Sequence, residues 1–255
     1  MSKKEIPVLM YHQFLQHENK DAKIKSFVTA KQFENHLKIL KFLGYETITF
    51  KELEKIGMEN RFKKKYIILT VDDGYKNNYE IMFPLLKKYN MKAVIFLVSD
   101  EKYNRWDVEK YGEEKLELMD ENQVKEMIES GLIEFGGHTL THCDFDEVSG
   151  SAAQKEVFEN RKKLEEKYGI TLTTFAYPYG HLNSEVKKIV QDAGYKFAVS
   201  TDSGSGNIED DRFEIRRSGI DRTSYFDFLR KISFGYSIYK GKKWMKKNRE
   251  KMSKK

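Results

Sequence analysis

Short, unbroken apolar runs alternate along this chain with longer stretches in which apolar residues recur every three or four positions. The runs at 6–11, 46–49, 66–71, 92–98, 132–136, 172–177, 196–200 and 213–217 are bounded by turn residues and predict strands. The stretches at 30–43, 51–57, 76–89, 120–130, 151–168, 183–193 and 223–235 predict helices. In 30–43, Phe33, Leu37, Leu40 and Leu43 fall at helical spacing and Gly44 is a natural stop. In 183–193, Asn183 or Ser184 can cap the start and Gly194 the end. The runs 66–71 and 93–98 show no polar alternation, as expected of parallel strands covered on both faces. Repetition of strand and helix therefore predicts an α/β chain closed into a (β/α) barrel. An open doubly wound sheet is disfavoured, because no glycine-rich nucleotide loop follows the first strand. The polar stretch 99–119 is expected to be a loop at the C-terminal end of a strand, where barrel sites are built.

Composition narrows this little. At 255 residues and 39% hydrophobic content the chain can build one large core. Three prolines and the lack of any linker-like or repeated stretch argue against further division. A single cysteine, Cys143, excludes an internal disulfide framework and fits a reducing compartment. Near the N-terminus, Glu5 and Pro7 break the apolar run before Tyr11-His12-Gln13, which does not read as a secretory leader, so a cytoplasmic location is expected, at or near the inner face of the membrane. Charge is uneven. Residues 236–255 carry nine Lys/Arg against Glu250, a local +8 that leaves −2 on residues 1–235 from the overall +6. The expected organisation is thus a domain over 1–235 and a basic tail over 236–255.

Three segments carry candidate chemistry. Thr70-Val71-Asp72-Asp73-Gly74 closes a buried strand with two adjacent carboxylates, which are costly there unless a cation neutralises them. His138-Thr139-Leu140-Thr141-His142 follows another strand, and its histidines at i and i+4 can share one metal if the segment turns helically. One carboxylate with two imidazoles is a three-ligand set with open positions, the pattern of a catalytic rather than a structural metal site. Thr174-Phe175-Ala176-Tyr177-Pro178-Tyr179-Gly180 ends a third strand in a tight turn that can present a backbone N–H to a reacting carbonyl.

Together these segments resemble the polysaccharide deacetylases of carbohydrate esterase family four, the NodB homology domain. The resemblance spans roughly residues 66 to 200 and implies a distorted seven-stranded (β/α) barrel that removes N-acetyl groups from a sugar in a surface glycan, a lipopolysaccharide or a glycan precursor. It implies Asp72 as general base, and Asp73, His138 and His142 as ligands of a divalent metal. Zinc is the default, with cobalt, nickel, manganese or iron also suited. It further implies the Tyr179 N–H as oxyanion donor. Two departures stand out. The arginine that orients the base in the family falls at Ala176 here, which leaves Asp72 without its partner. No histidine follows residue 200, where the family places its general acid.

Val8-Leu9-Met10-Tyr11-His12 offers a replacement at the other end of the chain. It is similar to the circularly permuted poly-N-acetylglucosamine deacetylase branch, which implies His12 as general acid. His17 is expected to be solvated, His36 to pack or face solvent, and His181 to adjoin the site. Tyr103 and Trp106 either stack on a sugar or pack locally. The expected partners are an N-acetylated glycan or a lipid-linked sugar. Phe226, Leu229, Ile232, Tyr236 and Tyr239 precede Lys242-Lys243-Trp244-Met245-Lys246-Lys247, and such a segment could lie on an anionic membrane surface through 236–255. Nucleic acid is not an expected partner. The rival readings are a catalytically impaired sugar-binding homologue, suggested by Ala176, and a non-haem iron oxygenase.

Overall fold

The computed structural model describes residues 4–19, 26–221 and 223–252. In chain order it holds β1 (Val8–Tyr11), β2 (Gln13–Leu15), β3 (Phe27–Thr29), α1 (Ala30–Phe42), β4 (Glu46–Thr47), α2 (Phe50–Ile56), β5 (Tyr66–Val71), α3 (Phe83–Tyr89), β6 (Ala93–Leu97) and α4 (Arg105–Tyr111). There follow α5 (Glu121–Glu129), β7 (Ile133–Gly137), α6 (Gly150–Tyr168), β8 (Thr174–Ala176), α7 (Ser184–Asp192), β9 (Phe197–Val199), β10 (Ser218–Gly219), α8 (Tyr225–Lys231) and α9 (Tyr236–Met252). The main sheet is parallel and runs β10-β1-β5-β6-β7-β8-β9, with β4 added beside β5.

One segment joins the ends of this curled sheet. Ile215 exchanges backbone hydrogen bonds with β9, donating to Ala198 at 3.0 Å and accepting from Ser200 at 2.9 Å. A few residues later Ser218 pairs with Leu9 of β1, and the Ile220 N–H donates to Met10 at 2.8 Å. The first strand therefore lies between the last strand and β5, as a closed barrel requires. The expected strand 213–217 is this segment, with its regular pairing displaced to 218–219.

Alternation along the strands makes two cores. Ile67, Leu69 and Val71 of β5 face outward against the helices, with Leu9 and Tyr11 of β1 and Ala93 and Ile95 of β6. Tyr66 and Ile68 face into the barrel with Val8, Val94, Phe96, Ala176, Phe197 and Val199. Both faces of each strand are thus buried, which is why the runs read as continuously apolar. Threonine or aspartate side chains and glutamine or glutamate returns close capping boxes at Thr29, Thr49 and Asp120, and Asn183 caps α7 by accepting from Val186 at 2.9 Å.

Several boundaries differ from expectation. A π turn, Asn78–Met82, opens α3, and Pro84, which has no N–H to donate, sits just beyond it. The stretch 99–119 contains α4. A parallel pair, β2 with β3, was not foreseen. The basic segment is a helix whose start is built into the body: Tyr236 and Ile238 are buried, and the Ser237 hydroxyl donates to the Gly206 carbonyl at 3.0 Å. The apolar positions 226–239 do not share one surface, because Ile232 and Tyr236 are buried while Phe226 and Tyr239 are exposed.

His36 of α1 is a packing residue. It stacks on Phe228 at 4.0 Å and lies 3.3 Å from the Tyr11 hydroxyl. Burial, and then the nearby Lys231 charge, hold its pKa down to about 4. The unfolded chain takes up this proton near pH 6.5, and the folded chain does so only near 4. Stability is therefore full above about pH 6.5 and falls as pH drops through that window, by roughly 3 kcal/mol for this group. Urea unfolding of His36→Phe against the parent chain at pH 7 and pH 4.5 checks this. The variant should lose less stability on acidification, and equal losses would remove His36 as the responsible group.

Candidate active site

The upper ends of β5 and β7 deliver the site by continuing the inward alternation. After Tyr66, Ile68 and Thr70, the next inward position on β5 is Asp72. Asp73 then takes φ 75° and Gly74 φ 77°, which turns the chain so that adjacent carboxylates reach one space. A side chain at position 74 would meet Leu97 Cδ2 at 2.6 Å. On β7, Gly136 lets Phe96 and the Thr174 carbonyl approach to 2.6 Å of where a Cβ would lie, and His138 is the next inward residue. The two histidines are not brought together by a helical turn. The segment 138–142 is a loop with Thr139 at φ 66° and His142 at φ 60°. Two residues of α6 fasten it. Glu156 accepts from the Leu140 and Thr141 N–H groups at 2.9 and 3.0 Å, and Asn160 donates to the Thr139 carbonyl at 2.6 Å.

Five non-glycine residues among those described have left-handed backbone, and four of them, Asp73, Thr139, His142 and Tyr179, belong to this site. Each such residue costs about 1–3 kcal/mol unless its surroundings enforce it. That concentration marks the loops as shaped for function rather than for stability.

Asp73 Oδ1 lies 3.3 Å from His138 Nε2 and 3.4 Å from His142 Nε2, and all three residues are buried. His138 Nδ1 is 2.8 Å from the Ala176 carbonyl. That contact requires the hydrogen on Nδ1 and leaves a lone pair on Nε2, facing Asp73. Asp73 Oδ1 accepts no hydrogen bond. Three electron-pair donors thus converge, an arrangement that positive charge stabilises. Burial pushes the Asp73 carboxyl up, yet the two imidazoles hold it well below the carboxylate range. Burial pushes the His138 imidazole down, yet Asp73 raises it. His142 is lowered, with burial prevailing over Asp73. The donor set fits a divalent cation such as zinc.

Asp72 does have a partner. Arg217, fully enclosed, donates from Nη1 to Oδ1 at 2.6 Å and from Nη2 to Oδ2 at 2.7 Å. Its Nε donates to the Ser200 carbonyl at 2.8 Å, and Nη1 also reaches Thr70 Oγ1 at 3.1 Å. The partner that Ala176 cannot give Asp72 thus comes from the segment that closes the barrel. Burial pushes the Asp72 carboxyl up, and the Arg217 charge and hydrogen bonds bring it below its ordinary value. His12 is the next inward position after Val8 and Met10, and its Nε2 stands 3.8 Å from Asp72 Oδ2.

His12, Asp72, Asp73, His138 and His142 line a cavity of 340 Å³ with Tyr179, Tyr75, Trp106 and Asp107. Tyr179, at φ 58° on the turn after β8, sets its ring edge-on to His142 at 4.7 Å. Trp106 stacks on the other side of His142 at 4.4 Å, so it packs as a wall, and Asp107 accepts from the Tyr75 hydroxyl at 2.8 Å. Burial and the Asp73 charge raise Asp107 to about 6. His181 is turned away and pairs with Asp144 at 2.7 Å, while His17 is exposed. Sequence reasoning missed Arg217, Glu156, Asn160 and Asp107. An arginine at an inward position of a strand-like segment was the one available signal.

The sequence pattern of a family described as polysaccharide deacetylase matches residues 59–198. YxkH of Bacillus subtilis is 29% identical over 214 residues, covering 84% of this chain and 70% of its own. A poly-beta-1,6-N-acetyl-D-glucosamine N-deacetylase from Staphylococcus epidermidis is 27% identical over 203 residues, covering 76% and 68%. Among solved structures, a Streptococcus pyogenes deacetylase in complex with acetate has a TM-score of 0.76 at 24% identity, covering 89% of this chain and 98% of that one. A polysaccharide deacetylase from Bacillus cereus has a TM-score of 0.73 at 27% identity, covering 89% and 69%. The Streptococcus pyogenes match speaks for the fold.

Proposed function

This chain belongs to the polysaccharide deacetylase family, and from that we propose that it hydrolyses the N-acetyl group of an amino sugar in a surface glycan, a lipopolysaccharide or a lipid-linked glycan precursor, releasing acetate. The observation that carries this reading is the convergence of Asp73, His138 and His142 with Asp72 and His12 in one cavity, Asp72 being held by Arg217.

Asp73 Oδ1 and the Nε2 atoms of His138 and His142 would hold a divalent cation, zinc by default. Bound there, it supplies a Lewis acid for the acetamide carbonyl and lowers the pKa of water. The remaining roles fall to the chain itself. Asp72, kept ionised by Arg217, takes the proton of the attacking water through a lone pair not used by the guanidinium. The Tyr179 N–H donates to the oxygen that becomes negative. When the carbon–nitrogen bond breaks, protonated His12 gives its proton to the leaving amine, and the acyl group departs as acetate. Trp106, Tyr179 and Tyr75 narrow the cavity, which limits water around these transfers. With Arg217 in place, Ala176 no longer argues for an impaired homologue, and nothing favours an oxygenase.

The test is acetate release from N-acetylated glycan polymers, oligosaccharides and lipid-linked sugars, with metal restored. Absence of acetate from every one of these by metal-replete protein would overturn the reading. His12→Gln is expected to lower turnover about 10²–10⁴-fold, the usual worth of a general acid. Its metal content should equal that of the parent, and loss of metal would place His12 among the ligands.

A further inference from the structure

The closing segment carries two adjacent arginines, which line one cleft but take different partners. Arg217 enters the barrel and is satisfied by Asp72. Arg216 has no such carboxylate partner and lines a cleft of 330 Å³ between this segment and α9, whose wall Arg217 also reaches. Its Nε donates to the Gly204 carbonyl at 3.3 Å, but its Nη2 is shut off from solvent and has no hydrogen-bond partner. The residue is only 7% exposed. A buried guanidinium N–H left unmade is costly, more so than a neutral one. Lys240, Lys243 and Lys247 line the same cleft. Their spacing of three and four residues puts them on one face of α9. Lys231 also lines it but is bound to Asp227 at 2.9 Å and to the Gly219 carbonyl at 2.8 Å. Among the described residues lining the cleft, Asp202 is the one carboxylate.

This cleft is built, not an accident of a loose helix. A Cβ at Gly241 of α9 would lie 1.6 Å from the Ser205 carbonyl oxygen, and one at Gly206 would lie 2.1 Å from that of Ser237. Only glycine at both positions lets α9 and the 204–206 turn approach so closely, and that approach sets the lysines opposite Arg216.

We propose that the cleft between α9 and the closing segment is a binding site for a phosphate group. The Arg216 guanidinium, its Nη2 without a protein partner, is a charged donor suited to phosphate oxygens, and the lysines add compact charge around it. The surplus of cations suits a group bearing several acceptor oxygens better than a single carboxylate. The site is separate from the acetamide site yet only a strand pair away. Met10 lines the catalytic cavity, and its register partner on β10, Gly219, lines this cleft. The phosphate can be soluble, as phosphate or pyrophosphate, or can belong to an anionic lipid headgroup.

Because the proposal does not depend on catalysis, the test is binding by the full-length chain. Calorimetric titration with inorganic phosphate and pyrophosphate forms one arm. Flotation with vesicles of phosphatidylcholine alone or mixed with phosphatidylglycerol forms the other. Binding in the first arm identifies a soluble ligand, and binding only to the mixed vesicles identifies the headgroup. In either case Arg216→Gln should weaken binding roughly tenfold, the loss of one charge-assisted contact, and the double variant Lys240→Gln/Lys243→Gln roughly a hundredfold, the loss of two. No binding in either arm overturns the site. So does a folded Arg216→Gln that binds like the parent, because diffuse lysine charge would then suffice. If Arg216→Gln does not fold, acylation of the parent decides: pyrophosphate or mixed vesicles should shield Lys240 and Lys243 from reagent, and equal labelling with and without them overturns the proposal.

Discussion

Asp73→Asn is expected to lose metal and activity together while the fold survives. Asparagine keeps the shape of aspartate and tolerates the left-handed backbone at φ 75°. The substitution removes the one negative charge among three donors, leaving two imidazoles for the cation. Weaker changes around metal ligands already cost 10–100-fold in affinity, so a loss well beyond a hundredfold is expected here. Acetate release should fall by at least about a thousandfold, since positioning and electrostatic help at the acyl centre would go together. Metal analysis after dialysis, acetate release and the unfolding midpoint should be read on the same preparation. A metal-replete, active Asp73→Asn protein would refute the ligand assignment.

Arg217→Met should damage both stability and chemistry. Asp72 is buried, and its two oxygens are held by Arg217 at 2.6 and 2.7 Å. Methionine fills much of the space and supplies no donor, so an uncompensated carboxylate remains inside the barrel. Breaking a buried pair in this way costs about 3–5 kcal/mol. For a chain of this size that corresponds to a fall of roughly 10 °C in the unfolding midpoint. The chemical consequence has a definite sign. Arg217 holds the Asp72 pKa down against burial, so its loss lets that pKa rise. Activity that needs ionised Asp72 should then fail at a higher pH on the acid side than in the parent. Arg217→Lys restores charge without the two-pronged geometry and should recover stability only in part. Adding Asp72→Asn to Arg217→Met should return much of the lost stability, though not activity. Should the single variant keep the parent's midpoint and acid limb, Arg217 is not the partner that sets the state of Asp72.

How far the sequence could be read depended on how local each feature was. Apolar runs without alternation revealed parallel strands covered on both faces, because burial of each side chain is set by its own position on the pleat. Thr70 to Gly74 and His138 to His142 lie next to their strands, so the order of residues along the chain already placed Asp72, Asp73, His138 and His142 at strand ends. His12 was reached in the same way, from Val8 and Met10. The histidines meet without the helical turn that their spacing alone would have required, because residues of α6, Glu156 and Asn160, hold that loop in a left-handed course. The helix α4 was hidden in a polar stretch whose few apolar residues, such as Trp106, pack on the site rather than forming a stripe of their own. Nothing local ties Arg217 to Asp72, 145 residues away, or Arg216 to the lysines of α9. The sequence by itself determined the strands, the inward positions on them and which carboxylates and imidazoles stand at their ends. Barrel closure decided which distant charge meets which, because the pairing of buried ions depends on the space enclosed and not on separation along the chain.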